Sequence, residues 1–369
     1  MAGSHSAAPE RPVRERRGWV TGTLAAFCLG NAALTLVAGL VQVSFGTYSM
    51  TLAEAGRTVF DPEIAFDPAV WNAFLFGSDL PEMDTRSVIV WNLRVPRVIV
   101  GVIAGATLAV SGAIFQAVTR NELASPFVLG VSSGAGFAVL ATLVVFSGLA
   151  PFLPLIASAG GAVAFLVVYA IAWKGGTSPV RLVLAGVIVN MVFQSLQQGL
   201  FFFADDLGVV QTAIAWTTGS LTGTGWAEVR LSVLPATVAI AVALAGARQL
   251  NVLLLGEETA RSLGMRVERV RLFLSSVAIV AASAAIAVAG VVGFFGLVVP
   301  HIVRNVVGSD YRQLMVGCLF AGPALMVTAD VGARLALGGT QIPVGVVTGL
   351  LGGPYFLYLM RKRQRMGEL

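Results

Sequence analysis

Residues 94–135 read RVPRVIVGVIAGATLAVSGAIFQAVTRNELASPFVLGVSSGA, and the reading of the whole chain turns on this stretch. The predominantly apolar run from Val98 to Val118 is long enough, at about 1.5 Å per residue, to cross a hydrocarbon core of about 30 Å as a helix. Gly101, Gly105 and Ala109 recur along it every four residues, and small residues at that spacing let helices approach closely. A polar connection from Arg120 to Pro126 follows, and a second apolar run opens at Phe127. The pattern is that of two membrane helices joined by a short, polar turn.

Composition extends this reading to the remaining residues. Of the 369 residues, 56% are hydrophobic and 12% charged, and the mean hydropathy is +0.84, values foreign to an ordinary soluble domain. Ten apolar segments are legible, at residues 19–43, 98–118, 127–146, 152–173, 182–204, 231–247, 272–289, 291–307, 314–335 and 344–360. The fold class expected is therefore all-α, a polytopic membrane protein of about ten transmembrane helices. They leave no room for an attached ATPase, kinase or sensor module. Cys28 and Cys318 fall in apolar segments and read as small buried hydrophobes rather than as a disulfide. With His5 and His301 as the only histidines, no metal site is expected.

The net charge of +5 does not call for nucleic acid, because in such a chain the placement of the basic residues carries the information. If the amino terminus is cytoplasmic, 18 of the 24 Lys and Arg residues fall on the inner side, and the outer side holds only Arg57, Arg86, Arg94, Arg97, Arg230 and Arg334. Both termini are thus expected in the cytoplasm. Residues 1–17 read as a disordered cytoplasmic segment, 18–361 as a single transmembrane domain and 362–369 as a cytoplasmic tail. Within the domain, 44–92 form an outer loop and 249–271 an inner one. The outer loop is acidic, with Glu54, Asp61, Glu63, Asp67, Asp79, Glu82 and Asp84, and is read as irregular with one short amphipathic helix.

No phosphate-binding loop exists, since neither Lys174 nor Lys362 follows a Gly-x-x-x-x-Gly pattern. In the inner loop Glu257, Glu258 and Arg261 share a short helix, Glu257 and Arg261 forming an i, i+4 pair. Gly256 precedes that helix, Gly264 stops it, and Leu255, Leu263 and Met265 offer apolar surface at its ends. By itself this is either a solvated loop or a docking knob. Polar residues within spans, Gln116, Ser132, Ser133, Asn190, Gln194, Gln197 and Gln198, line a path or bond neighbouring helices.

The run from Arg94, with RNELASP at 120–126 and LGVSSGA at 129–135, resembles the second span, inner loop and third span of the FecCD-type permeases. These serve binding-protein-dependent ABC importers of siderophores, haem and cobalamin, and the chain is similar to the vitamin B12 importer permease. Further matches are Leu184–Gly186, Trp216 with Gly219–Leu221, Gly256–Glu258 with Ser262–Gly264, GFFGLVVPH at 293–301 with Arg304, Ala329–Asp330 with Arg334, and Pro343–Gly349. The likeness covers roughly residues 90–360. Two departures stand out: Gln341 where the family commonly has Glu, and Tyr311 where His is common. Both are read as bearing on partner contacts more than on fold.

The resemblance implies a type II ABC importer permease fold and no enzymatic activity of the chain's own. It binds no cofactor; ATP and Mg2+ belong to two partner ATPase subunits. Gly256, Glu257, Glu258, Arg261, Leu263 and Gly264 would receive the ATPase, and Arg94, Arg97 and Arg334 would grip an extracytoplasmic binding protein. For Arg94 and Arg97, snorkelling to lipid phosphate is the alternative; for Arg334 it is a pair with Asp330. Gln116, Asn121, Leu123, Ser132, Ser133, Asn190 and Gln194 would line the path or its inner gate, with residues 177–180 beside them. The implied assembly, in a cell membrane, adds a second permease, identical or paralogous. The implied cargo is a metal chelate, ferric siderophore first, with haem or cobalamin behind. An ion-coupled secondary transporter is the distant rival, but Asp330, at an outer end, is the only acid near a span.

Overall fold

The computed structural model describes residues 19–46, 48–174, 176–204, 206–336 and 341–365. Among them the structure is helical, with one isolated bridge between Trp173 and Thr177 and no strand. The segment 1–17 and the tail beyond Arg365 lie outside the described residues, whereas 362–365 prolong the last helix. Ten apolar helices follow one another: α1 (Gly22–Ser44), α2 (Val95–Val118), α3 (Val131–Val145), α4 (Leu153–Ala172), α5 (Pro179–Phe201), α6 (Trp226–Ala245), α7 (Val267–Ala289), α8 (Phe295–Val307), α9 (Tyr311–Leu335) and α10 (Val344–Arg365). Seven are long and apolar enough to cross a membrane, α2 with the helical turns before it and α4 with the turn Ser147–Phe152. The apolar parts of α3, α8 and α10 are shorter.

Helix α2 is the centre of the bundle, packed by α6, α7, α8 and α9. Its small residues permit this crowding. A Cβ at Gly112 would lie 1.8 Å from the Gly296 carbonyl oxygen of α8, and one at Gly105 2.6 Å from the Gly322 oxygen of α9. A neighbouring helix is no better a solvent for Leu than lipid is, so close backbone approach rather than apolar burial holds such crossings. Around this core, α3 packs with α4 and α5, and α1 leans on α9. Cys28 and Cys318 are free and buried.

The interruptions differ from the expected spans for a reason visible in the backbone bonds. Helix α8 begins at Phe295 because Gly290 (φ 67°) and Phe294 (φ 61°) adopt left-handed conformations. An additional helix, Leu207–Thr218, capped by Asp206 on the Gly208 amide at 2.8 Å, occupies the connection between the apolar segments 182–204 and 231–247. Its end meets the α7–α8 break and the start of α10. Val291 N donates to Trp216 O (2.8 Å), Ser220 N to Ala289 O (2.8 Å) and Gly345 N to Gly219 O (3.2 Å). Non-helical backbone inside a membrane protein must be satisfied by protein, and here three such segments satisfy one another.

The outer loop is also more ordered than expected. In place of one helix it forms Leu52–Val59, Pro62–Ala65, Pro68–Phe76 and Thr85–Val88, the last running through a π turn, Ile89–Arg94, into α2. Much of its acidity is capping chemistry. Asp61, Asp67 and Asp84 accept from amides two residues on, and Thr51 and Glu54 form a reciprocal capping box. The bond from the Thr51 amide, followed by that from its hydroxyl, holds the Glu54 carboxyl below its ordinary pKa. The Ser87 hydroxyl does the same for Asp84. Phe74 stacks on Trp226 of α6 at 4.3 Å, and Trp71 and Trp91 surround the pair. Trp91 Nε1 donates to Thr58 O and Trp226 Nε1 to Trp91 O, so this cluster fastens the loop to the bundle.

Candidate functional site

At the inner end, Glu257–Ser262 is a helix, as the Glu257 and Arg261 spacing suggested. Gly256 before it (φ 105°) and Gly264 after it (φ 82°) hold backbone conformations that L side chains rarely adopt. The Arg261–Glu257 pair is present at 3.4 Å. Glu258 is exposed, and Leu255 and Leu263 show 61% and 64% of their surface. Ala260 alone in this helix is fully buried. The result is a short rigid element with two large apolar side chains and a carboxylate held outward.

Glu257 has a second and closer partner. Arg271, in the second turn of α7 and 1% exposed, donates from Nη2 to Glu257 Oε1 at 2.6 Å. Its Nη1 donates to Thr177 O at 2.5 Å and to Thr177 Oγ1 at 3.0 Å, and approaches Glu268 Oε1 at 3.3 Å. Glu268 accepts in turn from Thr177 N (3.1 Å) and Thr177 Oγ1 (2.7 Å). Sequence reasoning placed Arg271 on the inner side without assigning it a role.

Above this lies a second inner cluster. Gln116 is buried in α2 and its Oε1 accepts from Arg304 Nη2 of α8 at 2.9 Å. Arg304 also faces Glu122 Oε1 at 3.5 Å and the Tyr311 hydroxyl at 3.4 Å; His301 Nδ1 lies 3.8 Å from Glu122 Oε2. The connection 120–126 is thereby tied to α8. Within it Asn121 Oδ1 accepts from Leu123 N at 2.9 Å, leaving Leu123 exposed. Thr119, Arg120, Asn121, Pro179, Val180, Val183 and Leu184 line a cavity of about 520 Å³ between this connection and the start of α5. Tyr311 is 1% exposed, so this departure from the family pattern sits within the fold, not at a partner contact.

The path candidates divide into two groups. Ser132 and Ser133 are buried at the start of α3; Ser133 Oγ donates to Gly130 O, and Gln197 Nε2 of α5 donates to Ser133 O at 3.0 Å. Ser133 and Gln116 thus join helices inside the chain. Asn190 is half-buried, whereas Gln194 and Gln198 are exposed on α5, of whose most apolar window only 22% is buried. Amides on a bare face of a spanning helix are costly against hydrocarbon, so this face is one for water or another protein chain.

The outer arginines are turned inward. Arg97 is 8% exposed and forks onto Asp330, Nε to Oδ2 and Nη2 to Oδ1, both at 2.8 Å. Gln42 donates to the same carboxylate, and the Gln341 amide lies beside the Arg97 guanidinium. Asp330 therefore pairs with Arg97 and not with Arg334, the alternative read from the one-turn spacing. Arg94, 7% exposed, donates to the carbonyls of Val43 and Tyr48. Arg334 is half-buried and donates to Gln42 O at 3.2 Å. Both the Arg94 and Arg334 guanidinium groups crowd Gly46, where a Cβ would come within 2.7 and 2.9 Å of them. Among the described residues no group of three His, Cys, Asp or Glu is placed to hold a metal.

The bundle of apolar helices is that of a polytopic membrane protein, with a short helix exposed at one end and amides exposed on α5 among apolar side chains. Residues 33–362 match the FecCD transport family, and the chain belongs to it. It is 40% identical over 302 residues to the cobalamin import system permease protein BtuC of Halobacterium salinarum, covering 80% of each chain. It is 39% identical to the Fe(3+)-citrate import system permease protein YfmD of Bacillus subtilis, over 76% of this chain and 84% of that one. It is 38% identical to the hemin transport system permease protein HmuU of Yersinia pestis, over 75% and 85%. The fold matches an inward-facing metal-chelate type ABC transporter with a TM-score of 0.77 at 24% identity, over 92% of this chain and 99% of that one.

Proposed function

We propose that this chain is the membrane-spanning permease of an ATP-driven importer, carrying a metal chelate from an extracytoplasmic binding protein to the cytoplasm of the cell whose membrane it spans. The observation that carries this reading is the inner helix Glu257–Ser262, with Leu255, Leu263 and Glu258 exposed at the end of the bundle that holds most of the basic residues. Such a knob suits a groove on a partner ATPase, where ATP and Mg2+ bind and hydrolysis occurs. Two ATPases and two permeases, identical or paralogous, make the expected assembly. The bare face of α5, with Gln194 and Gln198, faces the shared path, and Leu123 and Asn121 stand at its inner mouth. Both termini lie in the cytoplasm.

On the outer side the binding protein docks over the ends of α2 and α9. Arg94 and Arg97 hold this surface in shape through bonds inside the chain, and Arg334, partly exposed, is the cation nearest to a partner carboxylate. Ferric siderophore is the first cargo proposed. Haem and cobalamin follow, because the relatives divide among iron chelates, hemin and cobalamin. The test is uptake of radioactive ferric citrate, ferric hydroxamates, haem and cobalamin into cells with and without the chain, its ATPase and binding protein being present. Energised uptake of one compound that vanishes without the chain assigns the cargo. Unchanged uptake of all four refutes the cargo class.

A further inference from the structure

We propose that Arg271 is a positioning residue that couples the ATPase-facing helix to the start of the path helix α5, an inference that rests on the docking role given above to Glu257–Ser262. A guanidinium 1% exposed is costly to bury unless its donors are used, and the partners of Arg271 lie on two separate segments. Nη2 holds Glu257, the first residue of the docking helix, at 2.6 Å. Nη1 holds the carbonyl and the hydroxyl of Thr177 at 2.5 and 3.0 Å.

Thr177 lies in the short turn between α4 and α5, two residues before α5 begins at Pro179. Its amide and hydroxyl are both taken by Glu268, one helical turn before Arg271. Every polar group of Thr177 is thus engaged by the Glu268 and Arg271 pair. Gly176 completes the fit: a Cβ there would stand 3.2 Å from Glu268 Oε1, and its carbonyl accepts from Arg181 Nη2 of α5 at 3.1 Å. Pro179 and Val180, the next residues, border the inner cavity opposite Asn121.

Force on the docking helix therefore reaches the mouth of the path through one planar, two-pronged side chain. Lysine, with a single ammonium centre, cannot present the same two fixed prongs to Glu257 and Thr177. The small surface helix and α5 touch nowhere else through a described hydrogen bond or ion pair. The fork joins the docking helix directly to the turn that opens α5, beside the Glu268 bonds that tie this turn to α7.

The experiment uses the full complex with its ATPase and binding protein in proteoliposomes, with spin labels at Thr259 and Val180, both exposed. In the native chain, nucleotide moves both labels. In Arg271→Lys the label at 259 still responds and that at 180 does not; in Thr177→Val, which removes only the hydroxyl bonds and keeps the carbonyl bond to Arg271, the response at 180 is reduced but not lost. Cargo carried per ATP hydrolysed falls at least about fivefold in Arg271→Lys, the scale of an ordinary inter-site coupling, and by less in Thr177→Val. Unaltered cargo per ATP in both variants, or parallel loss of assembly, hydrolysis and uptake in both, overturns the relay. The docking reading is tested separately by Leu263→Asp. If that variant keeps its ATPase, the docking role fails; if it releases the ATPase while Arg271→Lys remains fully coupled, only the relay fails.

Discussion

The two ends of the bundle both carry arginines close to charged partners, and they use them in opposite ways. At the outer end Arg94 and Arg97 are spent inside the chain, on Val43, Tyr48 and Asp330, and the surface left outside is a set of capped helices fastened by tryptophans. At the inner end the buried Arg271 serves to hold an exposed element outward, with Leu263 and Glu258 presented to solvent. Charge at a membrane boundary is thus a poor guide to exposure. What decides exposure is whether an acid or a carbonyl from a distant segment lies within reach.

That contrast can be broken most severely at the Arg97–Asp330 pair. Replacing Asp330 by Ala leaves a buried guanidinium uncompensated, a loss of about 3 to 5 kcal/mol, and is expected to lower thermal stability in detergent more than any surface change. Stability equal to native in a denaturation scan would show that the outer end is open enough for water to replace the acid. At the inner end, Leu263→Asp removes an apolar contact worth about 2 kcal/mol, or about thirtyfold in affinity, from the docking surface. The bundle itself should remain as stable as before. Co-purification of the ATPase reads this directly, and full retention would place docking elsewhere.

Gln198→Leu sharpens the comparison between lipid-facing and path-facing surface. Stability is expected to stay within about 0.5 kcal/mol of native, as for surface positions, while cargo uptake declines. A rise in stability with unchanged uptake would instead mean that the residue faces lipid. The smallest effect belongs to Glu54. Its carboxyl titrates below the ordinary value near 4.3 when folded, so its contribution is present above that value and is lost as pH falls through the lowered one. In Glu54→Gln, tryptophan fluorescence of the outer cluster should lose this acid-dependent step; an identical titration would remove the capping box from the explanation.

Much of the fold was legible because spans are long and apolar, and the ten segments reappear as ten helices displaced by a few residues at their ends. The breaks were not. The chain leaves the helix at Gly290, where Trp216 O and Ser220 N pair with Val291 N and Ala289 O, and no local pattern records pairing between segments that far apart. The short helix Glu257–Ser262 was readable from Glu257, Arg261 and Gly264, all within two turns of one another. The burial of Arg97 was not, since Asp330 is 233 residues away. Arg271 was hidden for the same reason: its i, i+3 neighbour Glu268 is visible locally, but Thr177 lies 94 residues before it. The acidity of the outer loop was visible, and its meaning became clear only once Asp61, Asp67 and Asp84 were seen at helix starts.

The most direct measurement of the central claim is cargo uptake by proteoliposomes containing this permease, its ATPase and its binding protein, with the native chain beside Leu263→Asp. Uptake that requires ATP in the native complex and is lost in the variant, with the bundle equally stable in both, is the predicted result. Equal ATP-driven uptake by both, or uptake by the permease without any ATPase, would contradict it.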